Sequence, residues 1–330
     1  MMRKKSFVIA GLIFVLLLAA SMGWAAQYTI KLAHNLPPTS ESLYHQAALK
    51  FKEQVEKAAQ GKVVVQIFPS AQLGSDVSVA KKVQSGAVEM EIITANKLGS
   101  FYPGIDLYSL PFLLNDFDLA ATVFKAPIHQ KVSEELEKKT GLKSLAFVAA
   151  GFRNITNSKH PINKPADIKD LKIRVPKNKI EIATFKALGG NPVNIPGSEL
   201  YSALQQGVAD GQDGSAAWAY AKKVYEVQKY LAVTHHQLST STMIINARYF
   251  YELPRDIQQA ITQAAAETRE YWQELSKNAD QDIIEKFKAK GMKITYPDLK
   301  PFIEAVQPVY KEFAQRVGGM DRIKAVQAIK

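Results

Sequence analysis

The 330-residue sequence contains no cysteine. That excludes disulfides, thiolate metal ligands, a cysteine nucleophile and a lipid-modified N-terminal cysteine, and it leaves the fold to rest on its hydrophobic core. A Gly-x-Ser-x-Gly elbow and a His-Glu-x-x-His helix are also missing, so two readily recognised hydrolase arrangements are absent, and no motif points to a cofactor. There is no internal repeat, low-complexity tract or long linker. Acidic residues are in deficit, 31 against 42 Lys and Arg, for a formal charge of +11. Arg3, Lys4 and Lys5 account for three of these, leaving +8 on the remainder. Those charges are scattered. The lysines from Lys222 to Lys229 are interrupted by Val, Tyr and Glu in a helix-like pattern, which fits a solvated helix face and not a nucleic-acid site. A mildly positive field helps attract an anion without identifying one.

Long apolar runs are limited to one. Between Phe7 and Ala20 it follows the three basic residues and precedes small ones, the layout of a secretory signal peptide over residues 1–25. Gly23 and Ala25 fit the small residues that signal peptidase prefers before its cut. The competing reading is an uncleaved anchor. Export to the periplasm is the expectation, and the roughly 305 residues that follow, in a chain of 47% apolar composition, suffice for two domains.

Strand-like alternation at 28–33, a helical stripe through Leu43, Ala47, Phe51 and Val55, then a strand at 63–68, a helix at 76–85 and a strand at 89–95 predict an α/β layered domain. Its sheet is expected to be largely parallel, with ligands beyond the carboxyl ends of the strands. That rule picks out His34 and Thr94, although a lone loop histidine is equally read as solvated or structural. Phe112, in the segment Leu110-Pro111-Phe112-Leu113, is either a pocket wall or core packing. A buried strand at 144–150 hands over to Gly151-Phe152-Arg153, where the chain is expected to cross into a second lobe. Arg153 by itself reads as a surface residue.

Leu171, Ile173 and Val175 alternate with Lys172 and Arg174, and Pro176 ends the strand. An arginine on a rigid strand presents a planar fork of donors that matches a carboxylate with two parallel hydrogen bonds. The plainer reading is a surface arginine on an edge strand. Ser198 caps a helix over 199–206 that Gly207 ends, and a polar turn follows at Asp210-Gly211-Gln212-Asp213-Gly214. Trp218 is placed either against a ligand or in the core. Thr234-His235-His236 precedes a strand at 242–246. Adjacent histidines on a strand face opposite ways, so no shared metal site is expected. Residues 254–290 carry the longest helical pattern, roughly 55 Å at 1.5 Å per residue, long enough to brace two lobes. A strand at 293–296 and a helix at 299–317 close the chain.

Five segments together resemble one family. Asp167-Ile168-Lys169-Asp170-Leu171-Lys172-Ile173-Arg174-Val175-Pro176 is similar to the "DLKGLKIRVP" stretch of the DctP-type solute-binding proteins of TRAP transporters. The stretch from Glu199 to Asp213 resembles that family's "ElYsALQqGvvDGqE". Gln72-Leu73-Gly74, Leu110-Pro111-Phe112-Leu113-Leu114 and Gly151-Phe152-Arg153 resemble its remaining elements in order. The resemblance implies a two-lobed periplasmic binding protein fold, each lobe a mixed, mostly parallel sheet flanked by helices. It also implies a long helix across both lobes, and no catalysis. Lobe one is expected over 26–150 with 239–278 returning to it, and lobe two over 151–238 completed by 279–330.

The same resemblance implies that Arg174 pairs with the carboxylate of an organic acid, that Arg153 is a second cation of the cleft, and that Phe112 borders it. A TRAP membrane permease is the implied partner; an ABC permease or a sensor kinase is the alternative, and a secreted enzyme is disfavoured. Asp213 stands where some members hold a cation beside the ligand. Gly214 departs from the family, which has an asparagine there, so the ligand's identity does not carry over. Dicarboxylates, sugar acids, 2-oxo acids and aromatic acids stay open, with a lean away from C4-dicarboxylates, and so does the choice between monomer and dimer.

Overall fold

The computed structural model describes residues 27–329. The signal peptide expected over 1–25 lies outside the described residues. Nine strands form one hydrogen-bonded sheet: β1 (Tyr28–Ala33), β2 (Val63–Phe68), β3 (Met90–Thr94), β4 (Leu142–Asn157), β5 (Lys172–Val175), β6 (Asn191–Asn194), β7 (Gly211–Ser215), β8 (Tyr230–Asn246) and β9 (Lys293–Thr295). The order is β2-β1-β3-β8-β4-β7-β5-β6, with β9 added to the start of β8. One end, β2-β1-β3, and the other, β7-β5-β6, are parallel inside themselves. The antiparallel pair β4 and β8 runs through both halves and makes them two lobes of one sheet.

Alternation sorts side chains to the two faces. Ile30 and Leu32 of β1, and Ala146 and Val148 of β4, join one buried cluster; Ala33, Phe147 and Ala149 join the other. The first cluster receives the helix Leu43–Ala58, capped by Ser42 accepting from the His45 amide at 3.2 Å, through Ala47, Phe51 and Val55. It also receives the longest helix, Arg255–Ala289, through Ile257, Ile261, Trp272 and Phe287. At 1.5 Å per residue this 35-residue helix runs about 52 Å along the back of both lobes. Trp272 is fully buried, edge-on to Tyr44. No helix among the described residues is long and apolar enough to cross a membrane.

The junction of the lobes is a run of register shifts in the β4/β8 pair, at Ser144/Ala146, Ala149/Phe152 and Arg153/Ile155. Bulges leave amides without ladder partners. Here the long helix supplies them: Gln273 Oε1 accepts from the Ala149 amide at 2.9 Å and Asp280 Oδ1 from the Phe152 amide at 3.0 Å.

Several expectations shift. The strand expected at 144–150 continues through Gly151-Phe152-Arg153 to Asn157, because the chain crosses between lobes as a bulged strand and not as a loop. β5 is interior, paired to β6 and β7, so Arg174 is not on an edge. The helix expected at 299–317 breaks into Lys300–Ala305 and Gln307–Phe313, where Pro308 has no amide to return to Glu304. Beyond these helices the chain also contacts residues of the first segment, 26–150. Arg316 binds Asp106 and the Gly99 carbonyl, both at 2.7 Å, and Arg322 in the last helix, Met320–Gln327, binds Glu135.

Candidate functional site

Between the lobes, the carboxyl ends of β1, β3, β5 and β7 converge on a cavity enclosing about 450 Å³ of non-atom space, its mouth included. Leu36, Tyr44, Thr94, Asn96 and Lys97 line it from the first lobe; Arg153, Arg174, Asp213, Gly214, Ser215 and Trp218 line it from the second. This is where ligands sit in open α/β sheets.

Arg174 projects from β5, one strand in from the edge strand β6, and is 2% exposed. Its Nε donates to the Ile195 carbonyl at 2.8 Å, and its guanidinium carbon lies 5.6 Å from the centre of the Trp218 ring. Those contacts fix the plane of the fork and leave its terminal nitrogens without a hydrogen bond or ion pair to protein among the described residues. Burial, and then the charge of Arg153, bring its pKa down to about 10. The cation is held at a cost that an incoming anion would relieve.

Arg153 is equally buried but committed. Its Nε and Nη2 donate to the two carboxylate oxygens of Asp213 at 2.9 and 2.6 Å, and Nη2 reaches the Asp213 carbonyl at 3.2 Å. In the adjacent strands β4 and β7 Arg153 is registered with Ser215, so Asp213, two residues along β7, lies diagonally across from it on the same face. Asp213 also meets His236 Nε2 at 3.0 Å. Burial opposes ionisation of Asp213, yet Arg153 and His236 together hold its carboxyl well below the usual range. Glu181 Oε2 sits 3.7 Å from Arg153, and its other oxygen accepts from Asn96 of the first lobe. Burial pushes the Glu181 carboxyl up to about 7, with Arg153 pulling it down and Asp213 pushing it up.

On the facing side, Tyr44 Oη bonds Thr94 Oγ1 at 2.9 Å and Ser241 Oγ at 2.8 Å. Lys97 Nζ is paired with Asp76 at 2.7 Å, and Asn35 Nδ2 donates to the same oxygen at 2.9 Å. Asn35 bridges the lobes: its carbonyl accepts from Lys222 Nζ at 2.6 Å and its Oδ1 from Trp218 Nε1 at 3.4 Å.

Six of the eight residues singled out in the sequence, Arg174, Arg153, Asp213, Gly214, Trp218 and Thr94, line this cavity. Two do not. His34 turns its ring to His45, Nε2 to Nδ1 at 3.2 Å, and burial drops its pKa to about 3; Leu36, two residues on, lines the cavity in its place. Phe112 adopts φ 59°, donates its amide to the His236 carbonyl at 2.9 Å, and packs its ring on the core. Gly214 has a steric reason to lack a side chain. A Cβ there would fall 2.7 Å from Gln212 Oε1 and 3.3 Å from the Trp218 ring, so the Gln212 amide, with the indole close beside it, crowds the space an asparagine would need.

His235 and His236 do part company, His235 stacking on Phe152 and His236 binding Asp213. Among the described residues no group of three metal-ligating side chains occurs. Sequence reasoning missed Asn96, Lys97, Tyr44 and Ser239, which stand in no motif. Asn96 and Lys97 follow directly on the end of β3 and Ser239 lies within β8, whereas Tyr44 stands at the start of the helix Leu43–Ala58 and carried no strand-end signal.

Residues 32–316 match the family described as bacterial extracellular solute-binding protein, family 7 (DctP). The chain belongs to this family. Among curated members it is 34% identical to the 2,3-diketo-L-gulonate-binding periplasmic protein YiaO of Escherichia coli, over 87% of this chain and 88% of that one. It is 31% identical to the sialic acid-binding periplasmic protein SiaP of Vibrio cholerae, over 93% and 94%. A solved TRAP periplasmic solute-binding protein from a Polaromonas species, bound to D-erythronate, superposes with a TM-score of 0.88 at 32% identity, covering 92% of this chain and 99% of that one. The DctP-family chain is thus a two-lobed solute-binding protein, not an enzyme.

Proposed function

We propose that this DctP-family chain captures an organic acid in the periplasm, through a carboxylate paired with Arg174, and delivers it to a TRAP membrane permease by hinge closure. The observation that carries this reading is the contrast between the cavity's cations: Arg153 is neutralised by Asp213 and Lys97 by Asp76, whereas Arg174 is buried with only a carbonyl for a partner. The relatives' acids, 2,3-diketo-L-gulonate, sialic acid and D-erythronate, all carry a carboxylate, which supports the same class here. Residues 1–25 direct export. The hinge lies at the bulges of β4 and β8, with lobe one over 26–150 and 239–278 and lobe two over 151–238 and 279–330.

Charge-assisted hydrogen bonds contribute roughly 1.5–3 kcal/mol each, and about 1.4 kcal/mol is a factor of ten. Arg174→Ala is therefore expected to weaken binding by at least ~100-fold, and Arg174→Lys nearly as much, since an ammonium lacks the fork. A thermal-shift screen of the exported chain against organic acids, sugar acids and neutral sugars finds the ligand class by mass action, and calorimetry measures the variants. Hits on neutral sugars, or an Arg174→Ala variant within threefold of wild type, refute the assignment.

A further inference from the structure

Arg153 serves two carboxylates, and it serves them unequally. Asp213 takes the Nε and Nη2 hydrogen bonds and meets His236 as well. Glu181, on the helix Lys179–Ala187, is 1% exposed and has only the longer 3.7 Å approach of Arg153 to its Oε2. That oxygen has no hydrogen-bond donor among the described residues, whereas Oε1 accepts from Asn96 and, at 3.3 Å, from Gln237. Around Glu181, β4 supplies Arg153, β5 Arg174, β7 Asp213, β8 Gln237 with His236 behind Asp213, and the turn after β3 Asn96. At the start of its own helix Asn178 reaches Asp106, whose carboxyl burial lifts to about 6 against the pull of Arg316. Two guanidiniums therefore stand beside two carboxylates before any ligand arrives, and Glu181 is the carboxylate with the weaker hold on a cation.

We infer that ligand binding is coupled to the uptake of one proton, and that Glu181 Oε2 receives it. Resting on the reading that Arg174 anchors a carboxylate, the ligand brings a third negative charge to two buried arginines. Like charges held this close resist being ionised together, and the proton goes to the group with the fewest donors. Asp213 keeps its charge through Arg153 and His236. Glu181 gives its charge up at the least cost, since burial already holds its carboxyl up at about 7. One proton passes from solvent to a carboxylate oxygen, and no other covalent bond forms or breaks. The complex then binds that proton more tightly than the free protein does, so affinity is greatest at low pH and declines as the pH rises through about 7.

D-Erythronate and D-galactonate are suitable probes, because each carries a single carboxylate that is ionised throughout the neutral range. Calorimetry of the full exported chain at pH 8 in phosphate and in Tris, whose ionisation enthalpies differ, reads the protons taken up. About 0.4 to 0.9 proton per bound acid is expected, with affinity falling about fivefold or more from pH 6 to pH 8.5. Glu181→Gln retains an oxygen for Asn96 and does not titrate. Its proton uptake is expected to vanish and its affinity to vary by less than about twofold over the same range, exceeding wild type at pH 8.5. An unchanged near-ultraviolet circular dichroism spectrum shows that the variant is folded. Lys222, brought down to about 8 by burial, titrates in the same window, so uptake that survives Glu181→Gln belongs to another group and overturns the inference. Wild-type binding without proton uptake, or with an affinity that is flat or rises with pH, overturns it too. Arg174→Ala tests the anchor separately. If wild type binds without proton uptake and Arg174→Ala loses binding, the anchor stands and the coupling falls; if Arg174→Ala binds as wild type does, or neither acid binds wild type, the anchor falls and the coupling with it.

Discussion

Glu181 is the most exposed to pH of the groups around Arg153, although it is among the least exposed to solvent. Its carboxyl has a folded-state pKa of about 7 against an ordinary 4.5. A carboxyl raised in this way keeps its proton where the unfolded chain has lost it. Its stabilising contribution is full below 4.5 and is lost as the pH rises through about 7. Glu181→Gln stays neutral throughout and retains an oxygen for Asn96, so its melting temperature is expected to fall less than wild type between pH 5 and 8. At pH 8 the variant gains at most about 3 kcal/mol, from 1.36 kcal/mol per unit of pKa. Parallel melting curves across that range would show that Arg153 keeps Glu181 ionised. None of this was legible in the sequence, where Glu181 is one acidic residue in a helix. Arg153 and Arg174 were legible, but their division of labour depends on the register of β4 against β7, which brings Asp213 to Arg153 and not to Arg174.

At the scale of elements, patterns that repeat were readable and patterns that are interrupted were not. The long helix keeps its apolar stripe from Ile257 to Phe287 and was placed within a residue at each end. β4 and β8 hide because each of their bulges reverses the in-out alternation, so each looks like a short strand followed by a loop. Gly151 shows how tightly the bulge is built. It sits at φ 95°, and a Cβ on it would come within 2.9 Å of Asp280 Oδ1, the atom that holds the Phe152 amide. Gly151→Ala is expected to destabilise the fold by about 1–3 kcal/mol through backbone strain and displacement of Asp280, a loss that urea titration reads directly. A midpoint unchanged from wild type would mean that the bulge relaxes without the long helix.

For the whole molecule, the proposed hinge closure draws attention to the contacts that join one lobe to the other. Asn35 and Lys222 are 187 residues apart, and no sequence pattern links them. Yet the Lys222 ammonium on the Asn35 carbonyl, with Trp218 beside it, joins the lobe-one rim to the helix Ala216–Ala221 of lobe two. Lys222 does not line the cavity around Arg174. Removing its charge therefore acts on closure and leaves the ligand's own partners in place. Affinity measured on a two-state binder is the intrinsic affinity reduced by the fraction of competent closed form. Losing one charge-assisted hydrogen bond, about 1.5 kcal/mol, is expected to weaken binding by roughly tenfold. Lys222→Met should show that loss for every acid the protein binds, in equal proportion, with a larger radius of gyration by small-angle scattering at sub-saturating ligand. A loss that differs from one acid to another would place Lys222 in the binding site, and no loss at all would move the latch to the Asn96–Glu181 and Asn178–Asp106 contacts across the same cleft.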